Sequence, residues 1–154
     1  MVDAIIDRCR EQGWTIAVAE SCTGGLLGGA LTSVAGSSDV FVGGVIAYAN
    51  AVKMDLLGVP DAMIDQEGAV SEAVAAAMAA GVRTRLAGTI GVAVTGVAGP
   101  GPGIGKPEGR VCFGVSWTAR LPRVRTVEFG ALGRAVVRER SVAHALEFLS
   151  ETLA

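Results

Sequence analysis

Histidine, aromatic side chains and charge are all scarce in this chain. Its 154 residues include one histidine, His144. Imidazole-built metal centres need several, so zinc and related sites are argued against and no metal is expected. The three cysteines, Cys9, Cys22 and Cys112, are odd in number and lack metal or disulfide spacing. They read as reduced thiols of a cytoplasmic protein. Aromatics make up 5% of the chain, so the core must rest on Val, Leu, Ile and Ala. Charged residues make up 18% and the net charge is -2, which argues against nucleic acid as a partner. A phosphate-backbone binder needs a dense Lys/Arg surface. A small phosphorylated ligand stays compatible with that charge. Long apolar runs are missing too: the longest, Ala73 to Val82, is too short to cross a bilayer, so no membrane partner is expected. The start places Asp3 and Asp7 where a targeting peptide would have a basic then apolar stretch, so none is expected.

Glycine is abundant instead, with 22 residues, roughly twice the average share. The glycines sit beside apolar runs, a pattern of tight turns and of backbone approaching a ligand. Val2, Ile5, Ile6 and Cys9 recur at helical spacing and predict a helix ending at Gly13. Trp14 to Ala19, Gly44 to Tyr48, Thr89 to Val94, Val111 to Trp117 and Val124 to Phe129 read as strands. Leu26 to Val34, Asn50 to about Leu57, and a stretch capped by Ser71 with a Val74/Met78/Val82 stripe read as helices. A last helix carries Val142, Leu146 and Leu149. Helices between the early strands imply parallel pairing, and the short link near Pro122 implies one reversed strand. The expected fold is one α/β domain over residues 1-154: a three-layer α/β/α sandwich with a mixed, mostly parallel five-stranded sheet. Ligands of such sheets bind beyond the carboxyl ends of the strands.

Three loops lie at that end. Ala19-Glu20-Ser21-Cys22-Thr23-Gly24-Gly25 runs from a strand into a helix N-terminus, whose free amides suit an anion or oxyanion. Ser21 or Thr23 could equally just cap that helix. In Tyr48-Ala49-Asn50-Ala51-Val52-Lys53, a lysine held among apolar groups could act as a base, or be an ordinary exposed helix lysine. Thr95 to Pro107 is rich in glycine and proline but fails the P-loop pattern twice, with Pro100 and Pro107 in the decisive places. It reads as a ligand-contacting lid or a surface loop. Arg134 and Arg138 form an i/i+4 pair, either a solvated face or a phosphate grip. His144 lies off the apolar stripe and reads as a solvated helix residue.

Taken together, these segments resemble the C-terminal domain of the CinA family. The matching stretches include Ala19 to Gly25, Ala35-Gly36-Ser37-Ser38, Gly43 to Lys53, Gly68 to Glu72, Val94 to Pro100, Lys106-Pro107 with Gly109, and Arg134 with Arg138. The Gly101 to Gly105 loop is shorter than the family's usual form, and Leu132-Gly133 stand where an acid usually precedes the first arginine. The resemblance implies a cofactor-free serine amidohydrolase that converts nicotinamide mononucleotide to nicotinic acid mononucleotide and ammonia. It implies Ser21 as nucleophile and Lys53 as base, with Ser38 a rival nucleophile because its motif also matches. Tyr48 and Thr95 would position groups. Thr23, Gly24, Gly25, Asn50, Thr95, Gly96, Gly99, Arg134 and Arg138 would bind substrate. A homo-oligomer is expected from the low charge and the alanine- and glycine-rich surface. The competing expectation is a non-catalytic nucleotide-sensing or protein-interaction module of the same family.

Overall fold

A computed structural model describes residues Met1–Ala154. In chain order the elements are α1 (Val2–Gln12), β1 (Ile16–Glu20), α2 (Leu26–Leu31), a 3-10 turn (Ser37–Asp39), β2 (Phe41–Ile46), α3 (Asn50–Leu57) and α4 (Asp61–Glu67). They continue with α5 (Glu72–Arg85), β3 (Ile90–Gly96), β4 (Arg110–Trp117), β5 (Arg123–Glu128) and α6 (Arg134–Leu153). The sheet runs β2-β1-β3-β4-β5. β1 is parallel to β2 and β3, while β4 is antiparallel to both of its neighbours. β4 is therefore the one reversed strand. Strand order switches direction at β1, which opens a crevice at the carboxyl ends of β1, β2 and β3.

Two apolar layers flank the sheet. On one face Ile5, Ile6 and Cys9 of α1, Leu27 and Leu31 of α2, and Val137, Phe148 and Leu149 of α6 pack on Val18, Val92, Val94 and Phe113. On the other, Leu57 of α3, Ile64 of α4, and Val74, Met78 and Val82 of α5 pack on Ala17, Ala19 and Ala93. α5 lies so close to the sheet that a Cβ at Gly91 would strike the Ala79 carbonyl, and one at Gly114 the Ala75 carbonyl at 2.5 Å. Ser71 caps this helix, its Oγ accepting from the Val74 amide at 3.2 Å. β1 is buried along its whole length, as a central strand covered on both faces must be, whereas β2 alternates half-buried and exposed, as an edge does.

Several boundaries differ from the sequence reading. β2 begins at Phe41, not Gly44, because Phe41 packs against the core and Gly43 takes up φ 143° at a register shift opposite Ile16 and Ala17. α4 is a helix the apolar pattern did not predict: seven residues with only Ile64 buried leave too short a stripe. α2 stops at Leu31 rather than Val34. In α6 the buried face is Val137, Ser141, Ala145, Leu146, Phe148, Leu149 and Leu153, so Leu146 and Leu149 of the expected stripe are buried while Val142 is only half-buried. His144 is not solvated. Its ring packs on Phe113 at 4.7 Å between centroids, and burial, aided by the nearby Arg125, lowers its pKa. No helix is long and apolar enough to cross a membrane.

Candidate active site

The turn after β1 is fixed by its backbone. The Ser21 amide donates to the Val94 carbonyl of β3 at 2.9 Å, and the Ser21 carbonyl accepts from the Gly24 amide at 3.1 Å. Gly24 and Gly25 adopt φ of 56° and 107°, a left-handed pair that lets the chain turn into α2. The side chain of Ser21 is thereby held at the sheet edge, 8% exposed.

Lys53, in the first turns of α3, is 2% exposed. Its Nζ donates to Ser21 Oγ at 3.1 Å and to the Tyr48 carbonyl at 3.0 Å. Burial lowers the pKa of this lysine; the neighbouring Cys22 opposes the shift. Desolvation favours the neutral amine, whose lone pair can accept the Ser21 proton across the same short contact. The Tyr48 carbonyl accepts an N–H in either protonation state and so holds the amine in place.

Cys22 lies beside Ser21 and competes for the role of nucleophile on intrinsic reactivity alone. Burial pushes its thiol up to about 12, so it stays protonated at neutral pH. A protonated thiol is a poor nucleophile.

Glu20 was not singled out by the sequence reading. It is 2% exposed, and its carboxylate accepts from the amides of Leu27 at 2.8 Å and Gly28 at 3.0 Å. The first-turn amides of α2, expected to be free for an anion, are taken by this side chain. The amides of Cys22 and Thr23 donate to no main-chain carbonyl, and of these two residues only Cys22 lines the cleft beside Ser21. An acidic residue closing an apolar strand just ahead of a helix was the signal that could have revealed Glu20.

Ser21, Cys22, Tyr48, Asn50, Lys53, Thr95, Gly96, Gly99 and Arg134 line one open cleft of about 540 Å³, with Ala69, Val70 and the loop from Val97 to Ile104. Thr95 is 1% exposed and donates to the Ala69 carbonyl at 2.8 Å, tying the end of β3 to the segment before α5. Arg134 sits at the cleft mouth and donates to the Gly99 carbonyl and to the Tyr48 hydroxyl, each at 2.7 Å. The phenol of Tyr48 is exposed and faces this arginine rather than Lys53.

The remaining expected residues lie elsewhere. Arg138 does not line the cleft; it donates to the carbonyls of Cys22 at 3.1 Å and Thr23 at 3.5 Å and braces the Ser21 turn from behind. Thr23 is fully buried with no partner for its hydroxyl, and it neither caps α2 nor lines the cleft. Gly24 and Gly25 shape the turn but also stay out of the lining. Ser38 is exposed on the 3-10 turn that leads into β2, at the amino edge of the sheet, whereas Ser21 follows β1 at the carboxyl edge. A parallel β1/β2 pair puts these edges at opposite ends, so one chain does not bring Ser38 to Lys53. His144 stays against Phe113 and does not line the cleft. No group of three or more His, Cys, Asp or Glu side chains is arranged to hold a metal ion.

The CinA C-terminal domain model matches residues 1–153. A CinA-like protein of Synechococcus sp. (strain CC9902) is 54% identical over 148 residues, covering 90% of this chain and 33% of that protein. A CinA-like protein of Mycolicibacterium paratuberculosis is 50% identical over 147 residues, covering 92% of this chain and 33% of that one. The chain thus spans about a third of the length of these curated relatives. Among solved structures, the competence/damage inducible protein CihA from Agrobacterium tumefaciens superposes with a TM-score of 0.93 at 39% identity, covering 97% of this chain and 92% of that one. A competence-damaged protein (CinA) superfamily protein from Escherichia coli gives 0.94 at 30% identity, covering 98% and 87%.

Proposed function

The chain belongs to the CinA C-terminal domain family, and from that premise we propose that it is a serine amidohydrolase acting on the carboxamide of nicotinamide mononucleotide. The observation that carries this reading is the buried Ser21/Lys53 pair, 3.1 Å apart, with the lysine pKa lowered by burial. A reaction that needs an unprotonated base beside a hydroxyl uses that arrangement.

In the proposed cycle neutral Lys53 takes the proton of Ser21 as Oγ attacks the carboxamide carbon. The tetrahedral oxyanion is assigned to the main chain just after Ser21, beginning with the amide of Cys22, a residue of the cleft lining. Protonated Lys53 gives its proton to the departing nitrogen, and ammonia leaves. Water then attacks the acyl-Ser21 ester, with Lys53 again as base, and releases the carboxylate product. Arg134 at the cleft mouth is the cation best exposed to meet the phosphate of the nucleotide.

Ammonia release from nicotinamide mononucleotide by the purified protein tests this, with Ser21→Ala as the blank and EDTA as a second arm. Turnover that survives EDTA and disappears in Ser21→Ala supports the reading. Nucleotide binding without ammonia release would favour the non-catalytic sensing module instead.

A further inference from the structure

The loop after β3 is fastened at its root and loose at its tip. At the root the Val97 amide donates to the Arg110 carbonyl at 2.9 Å, the Gly109 amide to the Val97 carbonyl at 2.8 Å, and Arg134 to the Gly99 carbonyl at 2.7 Å. From Pro100 to Lys106 the only main-chain hydrogen bonds are the two that join Gly103 and Lys106, at 2.9 and 3.4 Å. They close the turn Gly103-Ile104-Gly105-Lys106 on itself and tie it to no other part of the main chain. Pro100 and Pro102 have no amide proton, and their rings fix φ. Gly101 between them lies at φ 85° and Gly105 at φ 68°, each with nothing within 4 Å of where a Cβ would stand. Rotation of the tip is thus concentrated at Gly101, in open space.

The tip carries an apolar side chain that nothing covers. Ile104 is fully exposed and forgoes the free energy that burial would supply. It stands between two hollows: the cleft of about 540 Å³, and a second of about 560 Å³ bounded by Ile64 to Val70 and by Lys106. Val97, Gly103 and Ile104 belong to both walls, so the tip has empty space on either side of it.

We propose that residues 100–105 form a lid that turns about Gly101 and lays Ile104 on the flat face of the bound pyridine ring. The inference rests on the nucleotide assigned above, because that nucleotide supplies the ring. In the empty cleft Ile104 has only water to cover. A bound aromatic ring gives the closed arrangement an apolar contact that the open one lacks, and this difference shifts the equilibrium. A phosphate held by Arg134 is held by the residue that anchors the root of the lid, so ligand and lid share one fixed point. Closure keeps bulk water out while Ser21 attacks, and reopening releases the product. Ile104 is then the side chain that selects a flat apolar ring over a polar carboxamide of the same charge.

Tryptophan fluorescence tests the closure. Ile104→Trp in a Ser21→Ala background places an indole at the tip. Trp14 and Trp117, packed edge to face at 4.5 Å by the amino ends of β1 and β3, supply a constant background. Nicotinamide mononucleotide, whose pyridinium ring quenches a stacked indole, is expected to quench the added emission in step with binding measured by calorimetry. Ser21→Ala alone is expected to show no such quenching. In the active protein Ile104→Ala is expected to lose about tenfold or more in kcat/KM, with Tm unchanged because the side chain is fully exposed in the free protein. Leu121→Ala, nearly as exposed but at the opposite end of the sheet, is expected to change neither. Binding without quenching, or parental kcat/KM in Ile104→Ala, overturns the lid and leaves the amidohydrolase reading standing. Quenching without ammonia release from the parent keeps the lid and removes that reading. Absence of binding in calorimetry overturns both.

Discussion

Glu20 and Lys53 are both buried against the Ser21 turn, yet they form no ion pair. The carboxylate is taken by the Leu27 and Gly28 amides, and the amine by Ser21 and the Tyr48 carbonyl. A paired carboxylate would have held Lys53 in its charged form. Without one, desolvation controls, and the lysine pKa falls.

The pH dependence follows from that shift. In the proposed cycle the base must be neutral, so kcat/KM is expected to rise with pH through the lowered pKa of Lys53, with the acidic limb below the ordinary lysine range. Lys53→Arg cannot deprotonate and is expected to lose about 10³-fold or more in kcat. A rate profile of the parent and steady-state kinetics of the variant check both. Retention of most activity in Lys53→Arg would reduce the lysine to a fixed charge.

The same shift has a stability counterpart. Because the folded state binds the proton less tightly than the unfolded chain, stability rises with pH between the lowered pKa and the ordinary one, and the burial penalty is fully present below the lowered pKa. Lys53→Met removes that penalty at neutral pH while keeping the side-chain volume. It is expected to raise Tm while abolishing turnover, by about 2–4 °C for each kcal/mol gained. Thermal melts at pH 7 read the outcome, and a lower Tm in Lys53→Met would count against a buried, unpaired amine.

Ser21→Ala is expected to abolish ammonia release, by about 10³-fold or more in kcat. Cys22→Ser is expected to stay active within about tenfold, because a thiol with a pKa pushed up to about 12 is not the attacking group. Inactivation by a thiol reagent that spares Cys22→Ser would reverse this assignment.

The two arginines are expected to separate in kinetics. Arg134→Ala removes a cation from the cleft mouth and is expected to raise KM with kcat largely kept. Arg138→Ala releases the Cys22 and Thr23 carbonyls and is expected to lower kcat with KM largely kept, since it loosens the turn that carries Ser21. Equal effects of both on KM would return Arg138 to a substrate-binding role.

Glu20→Ala is expected to destabilise the fold by about 2–4 kcal/mol, because it leaves two amides of α2 without an acceptor. Urea denaturation measures it. Glu20→Gln keeps one acceptor and is expected to lose less.

The layers and the single reversed strand were legible in the sequence because they rest on short-range signals. Apolar runs marked β1 and β3, the Val74/Met78/Val82 stripe marked α5, and the short link between β4 and β5 left no room for a crossover. The Ser21 and Lys53 segments were legible as candidates, but their meeting was not. A serine 32 positions before a lysine touches it only because β1 and β2 are adjacent and end at one sheet edge. Glu20, and the bracing role of Arg138 as against its expected substrate contact, escaped for a related reason: each acts on main-chain atoms, and residue type carries little record of a backbone partner. His144 was misread because its contacts, Phe113 and Phe129, lie on other elements.

The group that steadies Lys53 is the main-chain carbonyl of residue 48, not the phenol of Tyr48. Every amino acid brings that carbonyl. The phenol meanwhile accepts from Arg134 on the exposed side of the cleft lining. One position therefore holds two separable duties, and mutation can alter the outward one while leaving the inward one untouched. A change of side chain at residue 48 therefore alters the contact with Arg134 and leaves in place the acceptor that holds the Lys53 amine.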